Sequence, residues 1–317
     1  MTVRLTMYQL WYILRSDLSM TRSFKPISIT LIFFFCAMML IGTTSQDKLQ
    51  TVQDLLALEP IPADHVIHYG EDPLQFGQLR LPQGEGPFPV IVIIHGGCWM
   101  AAYDLDHISP LAGAITRLGF ATWSLEYRRI GNEGGDWPGT FLDVSAGINF
   151  LREMETDHTL DLTRVTVLGH SAGGHLALWA AARKKLPEAS AVYGHNPLHL
   201  SGVISLAGIG DLEEAAAHKI CGIAVIQLMG GNKVQFPARY SQGSPAELLP
   251  LGIPQILIQG QQDPIVPLDS VKVYFNKARR KKDEIQLLEI ENAGHYELVI
   301  PGSSAWPSVK KAILSFK

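Results

Sequence analysis

VTVLGHSAGGHLALWAAAR, residues Val165 to Arg183, decides the fold. Four residues suited to a buried strand, Val165 to Leu168, run into Gly-His-Ser-Ala-Gly, and an alanine-rich helical pattern follows at once. A strand that becomes a helix over so few residues must turn sharply, and residues without a Cβ relieve the crowding that such a turn creates. What the turn presents is Ser171. Gly169 to Gly173 fit the G-x-S-x-G pattern of a nucleophile elbow, with the strand before and helix after that the pattern requires. Without that context a serine between glycines is an ordinary turn residue.

The alternation continues outward in both directions. Short aliphatic or β-branched runs at Gln75 to Leu81, Val90 to Ile94, Ala121 to Leu125, Arg164 to Leu168, Val203 to Leu206, Gln255 to Gln259 and Ile285 to Ile290 read as strands. Several are almost wholly apolar, as strands covered on both faces are. Helical patterns lie at Ile108 to Leu118, Thr140 to Met154, Ala172 to Lys184, Leu268 to Arg280 and Ala305 to Phe316. The order predicts an α/β fold, a mostly parallel central sheet with helices on both faces. Asp211 to Pro250 is more helical than strand-like and reads as an excursion over one end of the sheet.

With 317 residues, 47% hydrophobic and 18% charged, the chain can bury a large core and lacks the polarity that disorder requires. A net charge of -4 gives no basic field for a nucleic-acid backbone, and the one basic run, Arg279 to Lys282, reads as a solvated helix end. The N-terminus has another composition. Arg22 and Lys25 precede the uncharged run Ile27 to Gly42, and small residues follow at Thr43 to Ser45. Residues 1–45 therefore read as a secretory signal peptide, with Met20 as an alternative start and a mature chain beginning near Gln46. An uncleaved N-terminal anchor is the competing reading, although the run is short of the ~20 residues that span a bilayer. Either way, residues 46–317 are expected to form a catalytic domain outside the cytoplasm, secreted or periplasmic. Beyond the leader the cysteines are Cys98 and Cys221, which can pair in an oxidising compartment or remain two buried thiols.

A serine hydroxyl needs a base. Of eleven histidines, His295 in ENAGHYELV sits in a turn after the last strand, where it can reach over the carboxyl ends of parallel strands. His170 and His175, beside the elbow, read as packing or capping residues. The base in turn needs a carboxylate to hold its tautomer. Asp263, in the turn QQDPIVP stiffened by Pro264 and Pro267, is the first candidate, and Asp211, whose plainer role is to cap a helix, is the second. The order Ser171, Asp263, His295 matches the triad order that accompanies this elbow. HGGCW, His95 to Trp99, follows a strand, so the N–H groups of Gly97 and Cys98, with that of Ala172, are the expected oxyanion hole. Trp99, Tyr127 and Trp137 are candidates for lining a substrate pocket or for ordinary packing. Glu126, Arg128 and Arg129 read either as a substrate-binding group or as a structural ion-pair network. No HExxH or Cys/His cluster suggests a metal.

HGGCW, GHSAGG, QQDPIVP and AGHYE stand in the order found in the α/β-hydrolases, which the chain resembles from about Gln75 to its C-terminus. Within that superfamily it is similar to the esterase branch of kynurenine formamidases, feruloyl-esterase-like enzymes and hormone-sensitive-lipase-like esterases. It departs from the last group where Cys98 replaces the third glycine of HGGG, and where EYRRIGNEGGDWPGT, Glu126 to Thr140, replaces a DYRLAPE-like segment. The resemblance implies a serine esterase that acts through an acyl-enzyme on Ser171. An amidase, peptidase or arylformamidase with the same triad is the runner-up, and a non-catalytic binding protein on the same fold is a different class. A small-molecule ester or amide substrate is implied, with no cofactor, no nucleic-acid partner, and membrane contact only through the N-terminal segment. A Cys98–Cys221 disulfide is expected to hold the oxyanion loop.

Overall fold

Val90 to Ile94 show how the sheet is built. In a strand successive side chains point to opposite faces. Val90, Val92 and Ile94 accordingly join one buried cluster while Ile91 and Ile93 join another. The computed structural model describes residues 48–317, and the expected leader, with the alternative start at Met20 and the mature terminus near Gln46, lies outside the described residues. Lys48 to Lys317 form one compact unit.

The strands are β1 (His65–His68), β2 (Phe76–Arg80), β3 (Phe88–Ile94), β4 (Ala121–Leu125), β5 (Leu160–His170), β6 (Gly202–Leu206), β7 (Gln255–Gly260) and β8 (Ile285–Ile290). They form one sheet in the order β1-β2-β4-β3-β5-β6-β7-β8. β1 pairs antiparallel with β2 and β2 with β4, and all other neighbours are parallel. β4, β6 and β7 are buried along their whole length, which is why their sequences are nearly all apolar.

The helices are α1 (Val52–Leu56), α2 (Ser109–Thr116), α3 (Asp136–Asn149), α4 (Leu151–Met154), α5 (Ala172–Ala182), α6 (Leu212–Ala217), α7 (Ala224–Met229), α8 (Pro237–Gly243), α9 (Leu268–Arg280) and α10 (Trp306–Leu314). One face of the sheet packs against Phe141 and Val144 of α3, Leu176 of α5 and Tyr274 of α9. The other packs against Leu111 and Ile115 of α2, Leu55 of α1 and Val309 and Ile313 of α10. Fully burying each such aliphatic side chain contributes roughly 1.5–3 kcal/mol. Among the described residues no helix is long and apolar enough to cross a membrane.

Asp211 to Pro250 does form an excursion between β6 and β7, and it carries α6, α7 and α8. Two expectations are corrected. β1 was not anticipated, because HVIH is short and mostly exposed at the sheet edge and its pattern carries little signal. α3 begins at Asp136 rather than Thr140, although Trp137 itself has extended backbone angles (φ -78°, ψ 127°).

The chain runs from β3 outward to β4, then crosses back to β5 on the other side of β3. That reversal makes β3 and β5 the switch point, where a crevice opens beyond the carboxyl ends of the strands. The HGGCW turn leaves β3 there and the elbow leaves β5. Both glycines of the elbow are required by close approach. A Cβ on Gly169 would lie 2.0 Å from the Gly173 carbonyl oxygen, and one on Gly173 would lie 2.1 Å from that of Ile94. Gly169→Ala must therefore push backbone apart, and is expected to destabilise the fold by about 3 kcal/mol or more. A urea midpoint equal to that of the unaltered protein would contradict this account.

Candidate active site

Ser171 is the residue at which β5 stops and α5 starts. Its backbone lies at φ 55° and ψ -120°, a region that non-glycine residues rarely enter, and its N–H donates to the Leu206 carbonyl (2.8 Å), which ties the turn to β6. The side chain is thereby held above the sheet. Ser171, His295, His170, Gly97 and Cys98 all line one cavity of about 150 Å³.

His295 is held from two sides. Its Nδ1–H donates to Asp263 Oδ2 at 2.7 Å, which leaves Nε2 as the nitrogen without a protein partner among the described residues. Asp263 is fixed in turn, since Oδ1 accepts the N–H groups of Ile265 (2.8 Å) and Val266 (2.9 Å) and Oδ2 accepts from Gln259 Nε2 (3.0 Å). From behind, His170 donates its Nε2–H to the His295 carbonyl at 3.1 Å, with the two rings 4.5 Å apart. Burial first, then the neighbouring His295 and His107, push the His170 pKa well below its ordinary value, so its ring is neutral. Asp211 lies elsewhere. It caps α6 through the N–H groups of Glu213 and Glu214 and pairs with Lys277.

The N–H groups of Gly97, Cys98 and Ala172 have no intramolecular acceptor among the described residues. Gly97 (φ 107°), Cys98 (φ 52°) and Trp99 (φ 57°) all have positive φ, and Gly97 and Cys98 of this turn line the cavity. What holds so unusual a turn lies beneath it. Tyr127 donates its hydroxyl to the His95 carbonyl (2.8 Å) and stacks on the His95 ring at 4.5 Å. Trp99 donates its indole N–H to His175 Nδ1 (3.2 Å), and His175 Nε2–H donates to the Gly243 carbonyl (2.9 Å). A disulfide joins Cys98 to Cys221, with Cα atoms 5.6 Å apart, and anchors the turn to the loop between α6 and α7.

Trp99 and Tyr127 are fully buried and Trp137 nearly so, and none lines the cavity, so they serve as packing rather than as pocket walls. Glu126 and Arg129 form a buried ion pair that also touches His95 Nε2, 3.1 Å from Glu126 Oε1 and 3.1 Å from Arg129 Nη1. Burial pushes the Glu126 carboxyl upward, but His95 and Arg129 outweigh it and hold it below its usual range. Arg128 pairs with the buried Asp143 at 2.7 Å. The charges of this segment thus build structure. The cavity walls are instead Tyr103, His107, Ile265, Tyr296 and residues of α1. Ile265 and Tyr296 sit inside the QQDPIVP and AGHYE motifs but were not singled out, and Tyr103, His107 and the residues of α1 lie in short segments without a motif.

The family model described as BD-FAE matches residues 78–277. Esterase LipC of Mycobacterium tuberculosis is 23% identical over 250 residues, 76% of this chain and 61% of LipC. Esterase LipQ of the same organism is 25% identical over 212 residues, 65% of this chain and 50% of LipQ. The chain thus spans about half to three fifths of the length of these curated relatives. The solved structure of an inhibited esterase B from Lactobacillus rhamnosis superposes with a TM-score of 0.68 at 21% identity, covering 90% of this chain and 94% of that one. The shared fold is that of the α/β-hydrolases.

Burial lowers the pKa of both His107 and His175 from 6.5 to about 4. Between these values the unfolded chain binds protons that the folded chain refuses, so stability falls as pH drops through that window; above it both states are neutral and the effect vanishes. The thermal midpoint is expected to be level above about pH 7 and to fall steadily toward about pH 4.5. A midpoint constant over that range would show that these rings are not held neutral.

Proposed function

The chain belongs to the BD-FAE family, and from that premise we propose that it is a serine hydrolase of carboxylic esters, acting through an acyl-enzyme on Ser171. One observation carries the reading. Ser171, His295 and the Gly97–Cys98 turn meet at a single cavity, while His295 Nδ1 is committed to Asp263 and only Nε2 is left to take a proton.

In the proposed mechanism His295 Nε2 removes the Ser171 hydroxyl proton as Oγ attacks the ester carbonyl carbon. The N–H groups of Gly97, Cys98 and Ala172 receive the charge that develops on the carbonyl oxygen, and each such donor is worth ~3 kcal/mol of barrier. α5 begins at Ala172, so the positive end of its backbone dipole adds to that field. His295 then protonates the departing alcohol, Asp263 stabilises the imidazolium formed in between, and water repeats the sequence on the acyl-enzyme. A location outside the cytoplasm is supported by the disulfide, which persists in oxidising compartments.

Ser171→Ala and His295→Ala are each expected to lower kcat on aryl esters by about a thousandfold or more with folding intact, and Asp263→Asn by orders of magnitude. Asp211→Asn keeps an N-cap acceptor and loses the ion pair with Lys277, so it should leave activity unchanged and cost about 1 kcal/mol of stability or less. Rates on aryl esters, formyl-anilides and aminoacyl amides, with phosphonate labelling of Ser171, test the assignment. Full activity in Ser171→Ala, or a preference for amides over esters, refutes it.

The Cys98–Cys221 bridge closes a 123-residue separation. The chain-entropy model sets a ceiling of about 4–5 kcal/mol on the stability it contributes. Cys221→Ser should lower the thermal midpoint and reduce kcat more than it raises KM, because the turn that loses its tether acts on the transition state. An unchanged midpoint would dismiss the bridge as a stabilising element.

A further inference from the structure

The cavity at Ser171 has a wall from an unexpected quarter. Val52, Leu55 and Leu56 of α1 face it together with Tyr103, Ile265 and Tyr296, and among the described residues no Asp, Glu, Lys or Arg side chain lines it. An apolar cavity of about this size, 150 Å³, is known to take up benzene, so an apolar group of roughly six carbons fits. A charged group would find no counter-charge among the described lining residues.

A helix of five residues is too short to stand by itself in water. Three contacts hold α1 in place. Thr51 and Asp54 form a reciprocal cap, with Thr51 N–H donating to Asp54 Oδ2 (2.7 Å) and Asp54 N–H to Thr51 Oγ1 (3.3 Å). Leu55 is 2% exposed and buried in the cluster with Ile91 and Ile93. Glu297, only 4% exposed, makes the third contact. Its Oε1 accepts the N–H of Gln50 and its Oε2 accepts the N–H of Gly294 (2.9 Å), the residue just before His295. One buried carboxylate therefore fastens the approach to α1 and the loop that carries the base. The Leu49 side chain also lies against Gly294.

From this arrangement we propose that α1 sets substrate size, selecting esters with one short, neutral, apolar limb of roughly six carbons or fewer, and that Glu297 is the positioning residue that locks this wall to the His295 loop. The proposal rests on the reading of Ser171 as nucleophile. A methylene that does not fit is rejected by about tenfold or more.

The test is a chain-length profile of kcat and KM for the whole exported protein, on p-nitrophenyl esters of linear acids and, separately, on acetates of linear alcohols. Leu55→Ala and Leu56→Ala should move the optimum to longer chains, and Val52→Phe to shorter ones. Leu56→Ala and Val52→Phe, at partly exposed positions, decide the matter should Leu55→Ala fail to fold. Glu297→Gln replaces one acceptor oxygen by an amide that cannot accept, so it should raise KM most for the best chain length and flatten the profile. A shift in the acid series assigns the wall to the acyl limb, and a shift in the acetate series assigns it to the alcohol limb. Phosphonate labelling of every variant separates the two ways of failing. Absence of both labelling and ester turnover in the unaltered protein overturns the Ser171 reading itself. Labelled, active variants whose profiles superimpose on that of the unaltered protein overturn the role of α1.

Discussion

The approach of Gly173 to the end of β3 is the contact on which the rest depends. A Cβ there would stand 2.1 Å from the Ile94 carbonyl oxygen and 2.4 Å from that of His95, so only glycine allows α5 to start against the turn that follows β3. That contact brings the serine of one loop next to the N–H groups of another. On the other side of the turn, a Cβ on Gly96 would lie 3.1 Å from Ser171 Cβ, and the two loops are in van der Waals register. The site is the place where two strand ends far apart in the chain, Ile94 of β3 and His170 of β5, are forced together by the absence of a methyl group.

Such closeness is useful only if the oxyanion turn does not move when charge develops, because donors that must reorganise lose their advantage. Two consecutive non-glycine residues with positive φ, Cys98 and Trp99, store backbone strain. The counterweight is buried polar structure in which each partner is itself held. Tyr127 fastens the His95 carbonyl, the Glu126–Arg129 pair fastens the His95 ring, and His175 joins Trp99 to the Gly243 carbonyl of α8. The disulfide adds a covalent tie at Cys98, the position where a third glycine would have left the turn loose. The segment Glu126 to Thr140 thus acts on the site from beneath, with its charges directed away from the cavity.

The sheet was readable from the sequence because its central strands are mostly apolar, and β4, β8 and α9 fall where the pattern placed them. The grouping of Ser171, Asp263 and His295 was readable because each sits at a strand end with a local signature: glycines at the elbow, prolines after Asp263, a short polar turn before His295. The pocket was not. Trp99 and Tyr127 looked like lining residues because they are aromatic and adjacent to the site, yet whether an aromatic ring points into the cavity or under it depends on the φ of the turn, which pattern does not encode. The α1 wall was hidden for another reason. VQDLL has too few residues for a helical period, and its location follows from a hydrogen bond across 247 residues, Gln50 to Glu297.

The remaining residue of the elbow, His170, links the backbone of Ser171 to that of His295, the proposed nucleophile and base. It is the last residue of β5, next to Ser171, and its imidazole donates to the backbone of His295, so the strand that fixes the serine also fixes the loop of the histidine. For this to work His170 has to stay neutral. In the proposed mechanism His295 takes the serine proton and becomes a cation 4.5 Å from the His170 ring, where a second cation would oppose the transition state. Complete burial removes that conflict by holding the His170 pKa far down, and the donor Nε2–H needed for the carbonyl is present in the neutral tautomer. An arginine or lysine at this position would supply a donor but also a permanent charge. An aliphatic residue would supply neither. Histidine, buried, is the side chain that gives a donor without a charge and is flat enough to pack against a second imidazole.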